Sequence, residues 1–148
     1  PYQGHYTRMI IIMGVDPGRT SGTATVTFDD GGSVLSIHTG LEVSKELLAS
    51  NIIYQKPNEI VIEDFIGAGP RSQDTIYTLT LIGFVEGTAF SQGIKTTRQA
   101  PQARYCRMTM ATSLIDLSVK MTQKKRGHMI DALAHVLSYY DHKRKTLA

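Results

Sequence analysis

The chain has 148 residues, the length of one domain, and can bury roughly 70% of its unfolded surface. Its 41% apolar and 20% charged residues are those of a globular domain and exclude a disordered or fibrous chain. The net charge of +3 and pI near 9.1 lean toward a polyanionic partner.

Residues 1–8 are polar and aperiodic, which suggests a leader or an added remnant, with Met9 as the natural start of one domain over 9–148. The apolar stretch 9–13 is too short for a signal core or a membrane span, so no membrane is expected. The run 9–15 reads as a strand buried on both faces. It leads into Ile10-Ile11-Ile12-Met13-Gly14-Val15-Asp16-Pro17-Gly18, where a carboxylate sits at the strand end and Pro-Gly turns the chain away. Thr23, Thr25 and Thr27 alternate with Ala24, Val26 and Phe28, a second strand over 22–28. Asp29-Asp30-Gly31-Gly32 is a hairpin signal, and 34–39 alternates as a third strand.

Helical spacing of Leu47, Leu48 and Ile52 predicts a helix over 42–55, closed by Lys56-Pro57-Asn58. A short buried strand follows over 59–63, parallel to the first because a helix crossover separates them. The stretch 66–73 is rich in Gly, Pro and Ser and reads as a loop. A long helix over 75–92 is apolar nearly all round, with Ile76, Tyr77, Leu79, Leu81, Ile82, Phe84, Val85 and Phe90. A small domain can hardly bury such a helix alone, so a subunit interface is expected there. Gly83 and Gly87, one turn apart, would permit close approach; a wholly intramolecular core helix is the alternative. A fifth strand over 94–98 and a helix from Pro101 or Gln102 to about Ile115 come next. A basic loop over 122–127 and a last helix over 128–141 complete the chain. Lys143, Arg144 and Lys145 form a basic tail. Cys106 is the only cysteine, so no intrachain disulfide can form, which fits the reducing cytoplasm.

This order of elements resembles the ribonuclease H-like fold. That implies an α/β domain with a five-stranded mixed sheet, three strands antiparallel and two parallel, covered by helices.

Three carboxylates then stand on three separate elements: Asp16 ending the first strand, Glu63 ending Ile60-Val61-Ile62-Glu63-Asp64, and Asp131 on the last helix. Each alone has a plain structural reading: an Asp before Pro-Gly is a turn former, and either Glu63 or Asp64 could point inward. Asp131 suits a helix near its start. Together they suggest one cluster of hard oxygen ligands, suited to Mg²⁺ rather than zinc. Phosphodiester hydrolysis uses such a cluster, because two ions about 4 Å apart activate water and stabilise the leaving oxygen. His128 lies three residues before Asp131 on the same helix face and could ligate a metal or orient or deprotonate the attacking water. His135 continues that stripe and reads as an interfacial histidine with its polar atoms satisfied.

Gly14-Val15-Asp16-Pro17-Gly18, Ile60-Val61-Ile62-Glu63 and His128-Met129-Ile130-Asp131-Ala132-Leu133-Ala134 look like the RuvC-type Holliday junction resolvases, over essentially the whole chain from Met9. The resemblance implies a homodimer that nicks symmetric strands of a four-way DNA junction and leaves 5′-phosphate and 3′-hydroxyl ends. It also implies two Mg²⁺ ions, replaceable by Mn²⁺, held by Asp16, Glu63, Asp131 and His128, the last at a position where family members carry Asp or His. No nucleotide cofactor is implied. The protein would act in the cytoplasm at the nucleoid, or in a host cytoplasm if phage-encoded, as the short chain suggests. The family places an aromatic wedge three residues after the middle acid. Here Ile66 stands there and Phe65 just before it, so either could face the junction centre. The connection between the fifth strand and the last helix is also short, which leaves the junction-binding surface open. Arg19, Arg71, Lys120, Lys124, Lys125 and Arg126 are candidate phosphate contacts.

Two other readings share these residues. A ribonuclease H-like nuclease acting on flaps or RNA would keep the acids. Asp16-Pro17-Gly18-Arg19-Thr20-Ser21-Gly22 also looks like the first phosphate loop of the actin, hexokinase and heat-shock chaperone ATPases. Those need a second domain and further nucleotide loops that this chain lacks. A junction-binding protein without catalysis is a third possibility.

Overall fold

The computed structural model describes residues 8–65, 73–115 and 122–147. Five strands form one sheet in the order β3-β2-β1-β4-β5. They are β1 (Ile10–Asp16), β2 (Ser21–Phe28), β3 (Val34–Glu42), β4 (Glu59–Glu63) and β5 (Lys95–Gln99). β1, β2 and β3 form an antiparallel meander, whereas β4 and β5 run parallel to β1. The sheet is the expected one because its connections are of two kinds. The hairpin closed by Asp29 and Gly32 gives antiparallel neighbours; Gly32 takes a φ of 85° that favours glycine. Helical crossovers give parallel neighbours.

Helices α1 (Lys45–Gln55) and α2 (Gln73–Ser91) cover one face; α3 (Met108–Leu114) and α4 (Gln123–Leu147) cover the other. Residues along β1 alternate between the two cores: Ile12 packs with Leu133 and Val136, while Met13 and Val15 pack with Leu48, Ile52 and Ile82. A strand apolar on both sides is what two helical layers require. By the same alternation Val61 of β4 joins the α4 core, and Ile60 and Ile62 join the α1/α2 core. Among the described residues no helix is long and apolar enough to cross a membrane.

Boundaries moved where capping outweighed periodicity. Glu42 ends β3 instead of opening a helix, because Ser44 caps α1, its hydroxyl accepting from Leu47 N at 3.2 Å. The stretch before α3 is a 3₁₀ segment, Pro101–Arg107, and only Met108–Leu114 is α-helical. The expected basic loop over 122–127 is helical from Gln123, so Lys124, Lys125 and Arg126 ride on the first turns of α4. Lys143, Arg144 and Lys145 do not form a free tail. They continue α4, with Lys143 on Glu59, Lys145 on Asp141 and Arg144 over the Tyr140 ring.

Candidate active site

The parallel register pairs Val15 with Ile62, so the residues one step on, Asp16 and Glu63, leave the sheet side by side at the same edge. Asp16 shares a face with Ile12, and Glu63 with Val61; both therefore turn toward α4. α4 carries Asp131 to meet them. The three side chains each offer an oxygen within 4.8 Å of the others. Asp64, the alternative to Glu63, instead lies 3.7 Å from Arg98.

Two glycines set how closely α4 can lie on the sheet. A Cβ on Gly14 would stand 2.2 Å from Ala132 O, and one on Gly22 would stand 2.1 Å from His128 O. Both obstacles are backbone, so any side chain there would push the helix and its functional face outward. His128, held over Gly22, places Nδ1 3.0 Å from Asp16 Oδ2, which leaves Nε2 as the ring nitrogen available to a water.

The cluster holds more negative charge than its surroundings compensate. Burial pushes the Asp16 carboxyl up to about 9, reinforced by its hydrogen bond with Glu63 and by repulsion from Glu63 and Asp131, against the attraction of Arg104. For Glu63, burial acts upward but is outweighed by the neighbouring His135 and Asp16 side chains and by the charge of Arg104, so its carboxyl lies below the usual range. Burial also raises Asp131, with Arg104 opposing. The two groups Asp16 and Glu63 are coupled, and Asp16 is the harder of the pair to ionise.

Two further side chains of this site were not among the expected ligands, and one of them gave no signal in the sequence. Arg104, from the 3₁₀ segment, donates from Nη1 to Glu63 Oε1 and places Nε 3.6 Å from Asp131 Oδ1. His135 is fully buried, with Nδ1 2.6 Å from Gln99 Oε1 and Nε2 3.5 Å from Glu63 Oε2. The stripe through Asp131 did point to His135. Nothing in the spacing of 101–107 distinguishes Arg104 from Arg98 or Arg107, which pair with Glu86 and Asp141.

The expected phosphate contacts separate into groups. Lys124 and Lys125 are exposed, and Arg126 is half-buried. Arg19 is engaged, its Nε 3.0 Å from Asp74 Oδ1 and its guanidinium 4.4 Å above the Tyr77 ring. Phe65 is 39% exposed at the end of β4. Arg71, Lys120 and Ile66 lie outside the described residues.

An all-oxygen set of this span suits a hard divalent cation, whose ligands stand ~2.1 Å from a Mg²⁺ centre. Glu63 Oε2 is buried without a hydrogen-bond partner, which is the state of a ligand oxygen short of its cation.

A mixed sheet of this order, with helices on both faces, is the ribonuclease H-like fold. Solved structures agree. The chain is similar to Thermus thermophilus RuvC, with a TM-score of 0.70 and 16% identity over 93% of this chain and 97% of that one. It is similar to the same organism's RuvC in complex with a Holliday junction substrate, at a TM-score of 0.66 and 16% identity over 92% and 96%. The yeast mitochondrial Holliday junction resolvase matches at 0.63 and 12% identity over 86% and 76%. No family model matches the chain, and no curated protein matches it by sequence.

Proposed function

We propose that this protein is a metal-dependent endonuclease that resolves four-way DNA junctions by paired symmetric nicks, leaving 5′-phosphate and 3′-hydroxyl ends. One observation carries the reading: three carboxylates from β1, β4 and α4 converge within 4.8 Å at the sheet edge of a fold that RuvC shares along almost its full length. Asp16, Glu63, Asp131 and His128 would hold two Mg²⁺ ions, or Mn²⁺ in their place. Ions bound there supply an activated water and charge stabilisation at the leaving oxygen.

The residues divide the remaining work. Asp16 lies between Glu63 and His128 and joins the two halves of the site. His128, anchored through Nδ1 on Asp16, has Nε2 alone left for one of two tasks: to ligate an ion, or to orient the attacking water and take its proton. His135, held by Gln99, fixes the Glu63 carboxylate from behind. Lys124, Lys125 and Arg126 line the first turns of α4, where the helix dipole also favours phosphate. Arg19, Arg71 and Lys120 are proposed as further phosphate contacts, the last two lying outside the described residues, and Phe65 stacks on bases at the junction centre. Binding should therefore weaken steeply with salt.

Two active sites are needed for paired nicks, and α2 offers the surface for a homodimer. Ile76, Leu79 and Phe90 are exposed along it, and nothing lies within 4 Å of a Cβ on Gly83 or Gly87. Such a face admits a partner helix at close range.

The test is cleavage of a synthetic mobile four-way DNA junction in Mg²⁺ or Mn²⁺, with a flap and an RNA–DNA hybrid beside it and Asp16→Asn as control. Symmetric, ligatable nicks lost in Asp16→Asn are expected. Cleavage of the flap or hybrid with an intact junction would replace the substrate class and keep the metal site. Light scattering should show a dimer at micromolar concentration.

A further inference from the structure

Arg104 occupies an unusual position for a cation. It bonds Glu63 and approaches Asp131, two of the three acids of the cluster, and so competes for oxygens that a divalent ion would need. It is also held differently from Arg98 and Arg107, its neighbours in the chain. Arg98 grips Glu86 with two donors, Nε at 3.1 Å and Nη2 at 2.6 Å. Arg107 bonds Asp141 at 2.6 Å and ties the 3₁₀ segment to α4. Arg104 straddles two carboxylates, and its buried Nε has no hydrogen-bond partner. A guanidinium that leaves a buried donor unmet sits in a compromise position, not a saturated ion pair. Its neighbour Tyr105 is 64% exposed, with the Arg104 Cζ 5.1 Å from the ring centroid. The guanidinium already lies over this aromatic face while it bonds Glu63, and the face would still hold it once the carboxylates let go.

We propose that Arg104 is a displaceable counter-ion of the acid cluster. It holds Glu63 and Asp131 together before metal binds and yields their oxygens when divalent ions arrive, so its charge sets the metal affinity of the site. The inference rests on the reading of the acids as a metal site. Without some internal cation, three carboxylates this close would repel one another and splay. With a permanent one, the ions would meet a fixed like charge. A side chain that can release the carboxylates and stay on the Tyr105 face meets both demands.

The test is Mn²⁺ binding to the full chain without DNA, followed by calorimetry and by the electron paramagnetic resonance of free Mn²⁺. Arg104→Gln should bind Mn²⁺ about tenfold more tightly than the parent, because a like charge beside the ion is gone. Arg104→Lys, which keeps the charge, should stay near the parent. Equal or weaker binding by Arg104→Gln would overturn the inference and leave the metal site standing. No Mn²⁺ binding by either parent or variant would overturn both. Should Arg104→Gln fail to fold, the parent itself reports: the Arg104 Nε–H resonance, assigned by its loss in Arg104→Lys, should move on Mg²⁺ saturation. A resonance unmoved while Mg²⁺ binds would refute displacement.

Discussion

Strand β4 begins and ends with a glutamate, and the two teach different things. Glu59 and Glu63 lie on the same strand, the same face and under the same helix. Glu59 is 7% exposed and fully answered: Lys143 Nζ is at 2.6 Å, Tyr139 OH at 3.3 Å and Lys95 Nζ at 3.5 Å. Glu63 meets two further carboxylates, one guanidinium and a histidine nitrogen too far to bond. A buried charge that serves the fold is paired by its immediate neighbours. Three acids sharing one arginine serve the fold badly, and that imbalance marks a site. The stripe on α4 runs across both: Asp131 and His135 over Glu63, then Tyr139 and Lys143 over Glu59.

That contrast can be broken at either end, and the largest effect is expected at the site. Asp16→Asn should reduce junction cleavage on the order of 10³-fold or more, as loss of several kcal/mol of charge stabilisation implies. The same change should raise the melting temperature without metal by a few degrees, since the folded state no longer has to hold a proton that the unfolded chain releases at neutral pH. A variant that lost stability would mean that Asp16 is a structural turn residue.

Gly22→Ala tests placement without touching a charge. The methyl would meet His128 O, so α4 must move; a cost of about 1–3 kcal/mol is expected in denaturant unfolding, with cleavage reduced ~10²-fold by displacement of His128 and Asp131. Glu59→Gln is the converse. It should cost about 1.5–3 kcal/mol of stability, as loss of hydrogen bonds to charged partners does, while cleavage per folded molecule is unchanged. Lost activity in that variant would erase the distinction between the two ends of β4.

A last test leaves the sequence unchanged and varies pH. The folded protein keeps a proton on Asp16 up to about 9, whereas the unfolded chain loses it near 3.8. The folded state thus binds more protons across that window, and stability without divalent ions should fall as pH rises through it. Asp131, raised in the same direction, adds to the slope. A melting temperature that falls steadily from pH 5 to 9, and falls less in Asp16→Asn, is expected.

Much of this was readable along the chain because strands and turns are local. Continuous apolar residues require burial on both faces, Asp-Asp-Gly-Gly turns a hairpin, and a helix between two strands makes them parallel. Those rules deliver the sheet order and bring Asp16 and Glu63 to one edge. Helix ends were less legible. Ser44 and the helical turns of 123–127 were decided by backbone hydrogen bonds that apolar periodicity does not report.

The sequence by itself determined which elements form, that three acids end or face them, and that His128 and Asp131 share a helix face, since each follows from spacing within one element. Only the tertiary structure decided that Glu63 and not Asp64 turns inward, that Gly14 and Gly22 let α4 down onto the sheet, and that Arg104 answers the acids. These depend on distances between segments remote in the chain, and no local pattern encodes which of several arginines will reach a buried charge once the layers have packed.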